Sequence, residues 1–272
     1  MTTVTKNDLK SLYIPPSDSH KGQNGRLLVI GGSHLFHAAS LWSLKVASRI
    51  VDMVYYSSVD ENNQIVLAMK KEFRDGIIVP RGKVDEYTAE ADCILIGPGL
   101  PRPEGQEAGD NDTKELTTRL LTSYKTKRWV IDGGSLQVIS PDIIPQNAIV
   151  TPHHKEFERL FQKKGNEKTV AEMAKRNNCI ILLKGSTDYV CSKERCFKVT
   201  GGNPGMTKGG TGDVLAGLVA ALACKNEPFL AAYAGSYINK KAGDALYKRV
   251  GPYFNASDLA DQIPKTMYKL FL

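Results

Sequence analysis

Short apolar runs recur along this chain, separated by stretches of helical character, and each run ends in glycine or in a cluster of polar residues. The runs fall at 26–31, 53–56, 92–97, 129–132, 148–151 and 180–185. Runs this short and this apolar fit strands covered on both faces. Between them, 38–51 carries Leu41, Leu44, Lys45 and Ser48 at helical spacing, 113–125 reads as a helix, and another runs through Glu156, Phe157, Leu160 and Phe161. Strand–helix alternation dictates an α/β fold with a largely parallel sheet between two helical layers. The pattern changes after residue 185, where 189–191 and 196–199 read as an antiparallel pair. The remainder is helical: one helix from Asp213, one over 229–247 and one from Ala256 to the end. The segment 101–111, rich in proline, glycine and acids, is a surface loop; alternation resumes after it, so 1–272 is expected to form a single domain.

In such a sheet, ligands bind at the carboxyl ends of the strands. The strand exits here are Gly31-Gly32-Ser33-His34, Gly97-Pro98-Gly99, Asp132-Gly133-Gly134, Thr151-Pro152-His153-His154 and Lys184-Gly185-Ser186-Thr187-Asp188. They converge on one cleft. The richest loop is Asn203-Pro204-Gly205-Met206-Thr207-Lys208-Gly209-Gly210-Thr211-Gly212-Asp213, which empties into an apolar helix. Glycine lets the backbone approach a ligand closely, and a helix start offers unpaired N–H groups at the positive end of its dipole. Together these make an anion site with a carboxylate, Asp213, at its edge. The plainer alternative is that Thr211 or Asp213 merely caps a core helix.

Composition narrows the classes. No apolar run reaches the length of a membrane span, and the first residues lack the apolar core of a signal peptide, so a cytosolic location is the default expectation. The net charge of +7 comes from scattered Lys and Arg, with no basic aromatic platform and no zinc or helix-turn-helix signature, so nucleic acid is not the expected partner. A phosphate-bearing small ligand explains the charge equally well. Cys93, Cys179 and Cys224 lie in apolar segments and read as buried thiols. Cys191 and Cys196 flank a hairpin; a cross-strand disulfide there is disfavoured in a reducing cytosol. No cluster with metal-ligand spacing is visible.

Gly97-Pro98-Gly99, the segment from Thr151 through Phe157, Lys184-Gly185 and Gly209-Gly210-Thr211-Gly212-Asp213, in this order and spacing, resemble the NAD(P)H-hydrate dehydratase family. The stretch from His20 to Ser33 is similar to that family's beginning, and the likeness covers roughly 20–270. It implies a ribokinase-like three-layer sandwich with a central, mostly parallel sheet. It also implies a cofactor-repair reaction: removal of water from the hydrates of NADH and NADPH (NADHX and NADPHX), with ADP or ATP as co-substrate and Mg2+ arriving with the nucleotide. A homo-oligomer, a tetramer, is implied as well. With no room for an epimerase domain before His20, a stand-alone dehydratase is expected. The chain departs from the family at Asp132-Gly133-Gly134-Ser135, where a second acid is usual, at His153-His154-Lys155-Glu156, and at His37-Ala38-Ala39.

The resemblance assigns roles. Asp213 would be the catalytic base and touch the substrate, ionised with the help of the helix N-terminus. Ala38, Gly99, His153, His154, Lys155, Glu156 and Arg159 would contact the hydrate, with Gly97 and Gly99 leaving space for a flat ring or ribose. Lys184, Gly185, Ser186, Thr187 and Asp188 would line the nucleotide pocket; Gly209, Gly210, Thr211 and Gly212 would hold phosphate; Asn203 would orient phosphate or magnesium-bound water. The competing readings are a ribokinase-like kinase acting on a small molecule such as a vitamin precursor, and a non-enzymatic nucleotide- or nucleic-acid-binding protein.

Overall fold

A computed structural model describes residues 1–71, 74–110 and 112–271. In chain order the elements are β1 (Thr2–Thr3), β2 (Arg26–Ile30), α1 (His37–Ala47), β3 (Met53–Ser57), α2 (Asp60–Ala68), β4 (Ile77–Ile78), α3 (Val84–Glu90), β5 (Cys93–Ile96), α4 (Thr113–Ser123) and β6 (Trp129–Ile131). They continue with α5 (Gly133–Val138), β7 (Ile149–Val150), α6 (His154–Phe161), α7 (Glu167–Asn177), β8 (Ile180–Leu183), β9 (Asp188–Cys191), β10 (Cys196–Val199), α8 (Thr211–Ala223), α9 (Pro228–Val250) and α10 (Ala256–Phe271). Asn111, at the end of the expected surface loop, and Leu272, at the end of the last expected helix, lie outside the described residues.

One ten-stranded sheet runs in the order β1-β10-β9-β8-β7-β6-β5-β2-β3-β4. From β4 to β8 every pairing is parallel; β8–β9 and β9–β10 are antiparallel. Both edges are stubs of two residues, β1 and β4. Side chains alternate across each strand. On β2, Leu27 and Val29 enter one core with α1, α8, α9 and α10, whereas Leu28 and Ile30 enter the other with α3 to α7. This is the expected three-layer sandwich. The chain winds from β2 to β3 on one side and returns to β5 on the other, which opens the crevice of a topological switch at the β2 and β5 exits.

Helix α8 is apolar nearly all round because it is enclosed nearly all round, between the sheet, α1 and α9. At its crossing with α1, a Cβ on Gly217 would stand 2.6 Å from the Ser43 Cα, so the two backbones approach only because that side chain is missing. Cys191 and Cys196 correct the expectation of free thiols. They sit directly opposite in the β9–β10 register, Cα atoms 4.1 Å apart, and are joined as a disulfide. Strand pairing places them together whatever the compartment, and the compartment had been only a default. Cys93, Cys179 and Cys224 are buried and free, as expected.

Candidate active site

Four chain segments bring ionisable groups together at the carboxyl end of the sheet. Asp132 follows β6 at the N-cap position of α5, where its side chain makes no capping bond. Its Oδ1 accepts from the Thr151 hydroxyl at 2.8 Å and from Lys184 Nζ at 2.7 Å, and the residue is 2% exposed. Lys184 follows β8, where its N–H donates to Pro152 O at 2.8 Å and it bridges to His153. His153 caps α6 in a reciprocal box: Glu156 N–H donates to its Nδ1 at 3.1 Å, and its own N–H donates to Glu156 Oε2 at 2.9 Å. That box holds Glu156 inward, 6% exposed. Asp213 sits in the first turn of α8, and its carbonyl accepts from the Ser43 hydroxyl of α1 at 2.8 Å.

Three carboxylates therefore share one ammonium. Burial alone would lower the Lys184 pKa, but Asp132 and Glu156 outweigh it, and the ammonium is held above its ordinary value. Burial raises Glu156 despite the opposing pull of Lys184. Asp213 is pushed up to about 7, first by burial and then by repulsion from Asp132, against the attraction of Lys184. This corrects the expectation that the helix N-terminus keeps Asp213 readily ionised. In a crowd of like charges, desolvation exceeds the dipole's contribution.

The loop before α8 is built to present N–H groups. Gly210 caps the helix at φ +91°, and a Cβ there would fall 2.3 Å from a Trp42 ring carbon. The Thr211 hydroxyl donates back to Met206 O at 2.7 Å and Lys208 O at 2.9 Å, which tightens the turn. The N–H groups of Gly209, Gly210 and Gly212 make no hydrogen bond among the described residues. Gly209 is open, with nothing near its Cβ position. Lys208 points away: its ammonium donates to Pro252 O and, at 2.6 Å, to Phe254 O.

A cleft of about 770 Å³ adjoins this centre. His153, assigned by resemblance to the hydrate, and Lys184, Gly185 and Ser186, assigned to the nucleotide, line this one cleft. Asn203, Thr211 and Gly212 line it too, and so does Asp188, with a different role. Asp188 accepts from Gly185 N–H at 2.8 Å and the Ser236 hydroxyl at 2.7 Å and pairs with Lys240 at 3.2 Å, so its carboxylate is consumed. Asn203 is likewise engaged, with Oδ1 accepting from Gly205 N–H at 3.0 Å. Thr187 lies outside the cleft lining. His154, Lys155 and Arg159 are exposed on α6, and the His154 ring covers Gly185. Ala38 lies in the first turn of α1, and its neighbour Ala39 stands 3.1 Å from the missing Cβ position of Gly99. Gly97 and Gly99 stand where the strand exits pack on one another: their missing Cβ positions fall 1.7 Å from Asp132 O and 2.8 Å from Phe36 O. A larger groove, about 1040 Å³ between α9 and α10, is lined by none of Asp132, Glu156 and Asp213.

Sequence reasoning passed over Asp132 as a site residue, although it stands at a polar strand exit like the others. Lys240, Asn239 and Gly201-Gly202 also line the cleft. The glycine pair after β10 was a readable signal; Asn239 and Lys240, inside a 23-residue helix, gave none.

Comparison with known proteins shows the family. The family model described as NAD(P)H-hydrate dehydratase matches residues 27–265. The chain is 34% identical over 279 residues to the ADP-dependent (S)-NAD(P)H-hydrate dehydratase of Nitrosopumilus maritimus, covering 94% of this chain and 93% of that one. It is 37% identical over 274 residues to the bifunctional NAD(P)H-hydrate repair enzyme of Methanocaldococcus jannaschii, covering 97% of this chain but only 52% of that protein. Its fold superposes with a TM-score of 0.83 on the ADP/ATP-dependent NAD(P)H-hydrate dehydratase of Bacillus subtilis crystallised with ATP/Mg2+, at 21% identity and covering 99% and 98% of the two chains.

Proposed function

The chain belongs to the NAD(P)H-hydrate dehydratase family, and from that premise we propose that it regenerates NADH and NADPH from their hydrates with ADP or ATP as phosphoryl donor. The observation that carries the reading is the surplus of acid at the start of α8: Asp213, raised to about 7, beside unpaired N–H groups and an open cleft. A base with a pKa near the working pH is both available and strong enough to matter. In this reading the nucleotide phosphates lie against Gly209, Gly210 and Gly212, with Lys184 beneath. Asp213 takes the proton of the ring hydroxyl as that oxygen attacks the terminal phosphoryl group, and the loop N–H groups hold the charge that develops. The hydroxyl has then become a phosphate, a good leaving group; its C–O bond breaks with help from the ring nitrogen, and loss of a proton from the adjacent ring carbon restores the dihydronicotinamide ring. With ADP the products are AMP, inorganic phosphate and NAD(P)H.

Asp132 serves as a positioning residue that anchors Lys184, and the His153–Glu156 box fixes the floor of the hydrate side. Ala38, Gly99, His154, Lys155 and Arg159 remain assigned to the hydrate by resemblance. Among the described residues no group of three His, Cys, Asp or Glu side chains is placed to hold a metal. The donor set thus fits magnesium carried on nucleotide phosphates rather than caged by protein, where it would neutralise phosphate charge. Assembly as a tetramer belongs to the same proposal and is checked by sedimentation.

The test is stoichiometric. Incubation of the hydrate with ADP or ATP should yield one inorganic phosphate per reduced nicotinamide formed, followed by absorbance. Repair without nucleotide overturns the reading. Accumulation of a stable phosphorylated small molecule would move the assignment to a kinase of the same fold.

A further inference from the structure

Part of the cleft wall differs in character from the loop glycines. Met206 and Leu215 make it apolar, and Leu215 lies one helical turn beyond Thr211. Among the described residues no cation is free there: Lys240 donates to the carbonyls of Gly185, Ser186 and Gly201 at 3.0, 3.2 and 3.3 Å and pairs with Asp188. The Asp244 carboxylate holds Gly202 N–H at 3.1 Å and adds negative charge there. Such surroundings repel phosphate and suit a flat, uncharged ring.

One polar side chain in this part of the wall is unused. Asn239, on α9 beside Lys240, lines the cleft and is 4% exposed. Its Oδ1 is buried and accepts no hydrogen bond among the described residues. Buried acceptors are nearly always paired, because an unpaired one loses its water without replacement. A ligand that brings an N–H to this wall removes that deficit; a ligand that brings only a carbonyl leaves it in place.

We infer that Asn239 reads the purine of the nucleotide, its Oδ1 accepting from the 6-amino group of adenine, and thereby selects 6-amino over 6-oxo purines. The inference rests on the nucleotide-dependent reading above and adds the residue that sets base preference.

The experiment is a calorimetric titration of the wild type and Asn239→Leu with ADP, inosine 5′-diphosphate and purine riboside 5′-diphosphate, which lacks any 6-substituent. The wild type should bind ADP about tenfold more tightly than purine riboside diphosphate, and inosine diphosphate more weakly still. Asn239→Leu should lose about tenfold in ADP affinity, leave purine riboside diphosphate unchanged, and so erase the preference. Its melting temperature without nucleotide should be unchanged or higher, since no protein contact of Oδ1 is lost; a purely structural asparagine would not behave this way. Asn239→Ser, smaller and still polar, is titrated alongside so that misfolding of one variant leaves the test standing. A preserved preference, or equal losses for all three nucleotides, overturns the role of Asn239 while leaving nucleotide use intact. Failure of the wild type to bind any of the three overturns the nucleotide reading itself, and this inference with it.

Discussion

Two lysines line the same cleft, each paired with an aspartate, and the two pairs have opposite balances. In the first, Asp188 accepts from a backbone N–H, a serine hydroxyl and Lys240, and Lys240 donates to three carbonyls as well. Donors and acceptors are matched. In the second, Lys184 bonds Asp132 at 2.7 Å but also lies within the field of Glu156 and Asp213, so the centre carries more acid than it can neutralise. A buried charge with all its partners holds a structure together; a buried surplus leaves a group with a proton to take or give. The same residue types at the same cleft thus separate into a pin and a reactive centre by counting partners.

Breaking the surplus should give the largest effect. Asp213→Asn should reduce turnover by about a hundred- to ten-thousand-fold while nucleotide still binds, since an amide accepts no proton. Wild-type turnover should rise with pH through about 7, as the carboxylate forms. Stability has the opposite sign. A raised acid pKa favours the folded empty protein fully below the ordinary carboxylate value of 3.8, and that contribution is lost as pH rises through about 7. Asp213→Asn should therefore melt above the wild type at pH 8 and lose that advantage on acidification. A variant with near-normal turnover, or one that melts lower at pH 8, would remove Asp213 from the centre of the chemistry.

Breaking the pin should do the reverse. Lys240→Met leaves Asp188 buried without its cation, which costs about 3–5 kcal/mol in comparable buried pairs. Chemical denaturation should show that loss, with kcat per folded molecule changed far less. If kcat falls as steeply as for Asp213→Asn, the pin and the centre are not separate.

The smallest effects come from the loop glycines, and they sharpen the distinction within one turn. Gly210→Ala forces a side chain into Trp42 at a backbone angle alanine rarely adopts, so melting temperature should fall. Gly209→Ala meets open space, so stability should hold while nucleotide affinity weakens. Equal thermal losses in both would make the whole loop structural.

The strands and the loop were legible because their signals are local. Buried parallel strands are continuous apolar runs, and β2, β5 and β8 lie within a residue or two of where 26–31, 92–97 and 180–185 suggested. Helix α2 was not legible: it is mostly polar, and its buried Asn63 serves the backbone of Ser58 rather than an apolar stripe. Helix α5 opens on two glycines, poor helix formers whose places are set by contact with the carbonyls of Gly97 and Leu100. Helix α7 did announce itself, through Asn166 and Thr169 at capping-box spacing, and that sign went unread. In the candidate site, Asp213 stands out in the sequence by its place after the glycines. Its near-neutral pKa does not, because that depends on Asp132 and Glu156, brought near from separate strand exits by the sheet alone.

The two-residue edge strands have a consequence for the molecule in a crowded solution. A sheet grows by adding backbone to an exposed edge, and a long, flat edge invites a neighbour's strand. Here the outermost rows, Thr2–Thr3 and Ile77–Ile78, offer so short a ladder that a docking strand would gain few hydrogen bonds for the freedom it gives up. A wide, strongly apolar sheet is thus terminated at both margins against runaway self-pairing.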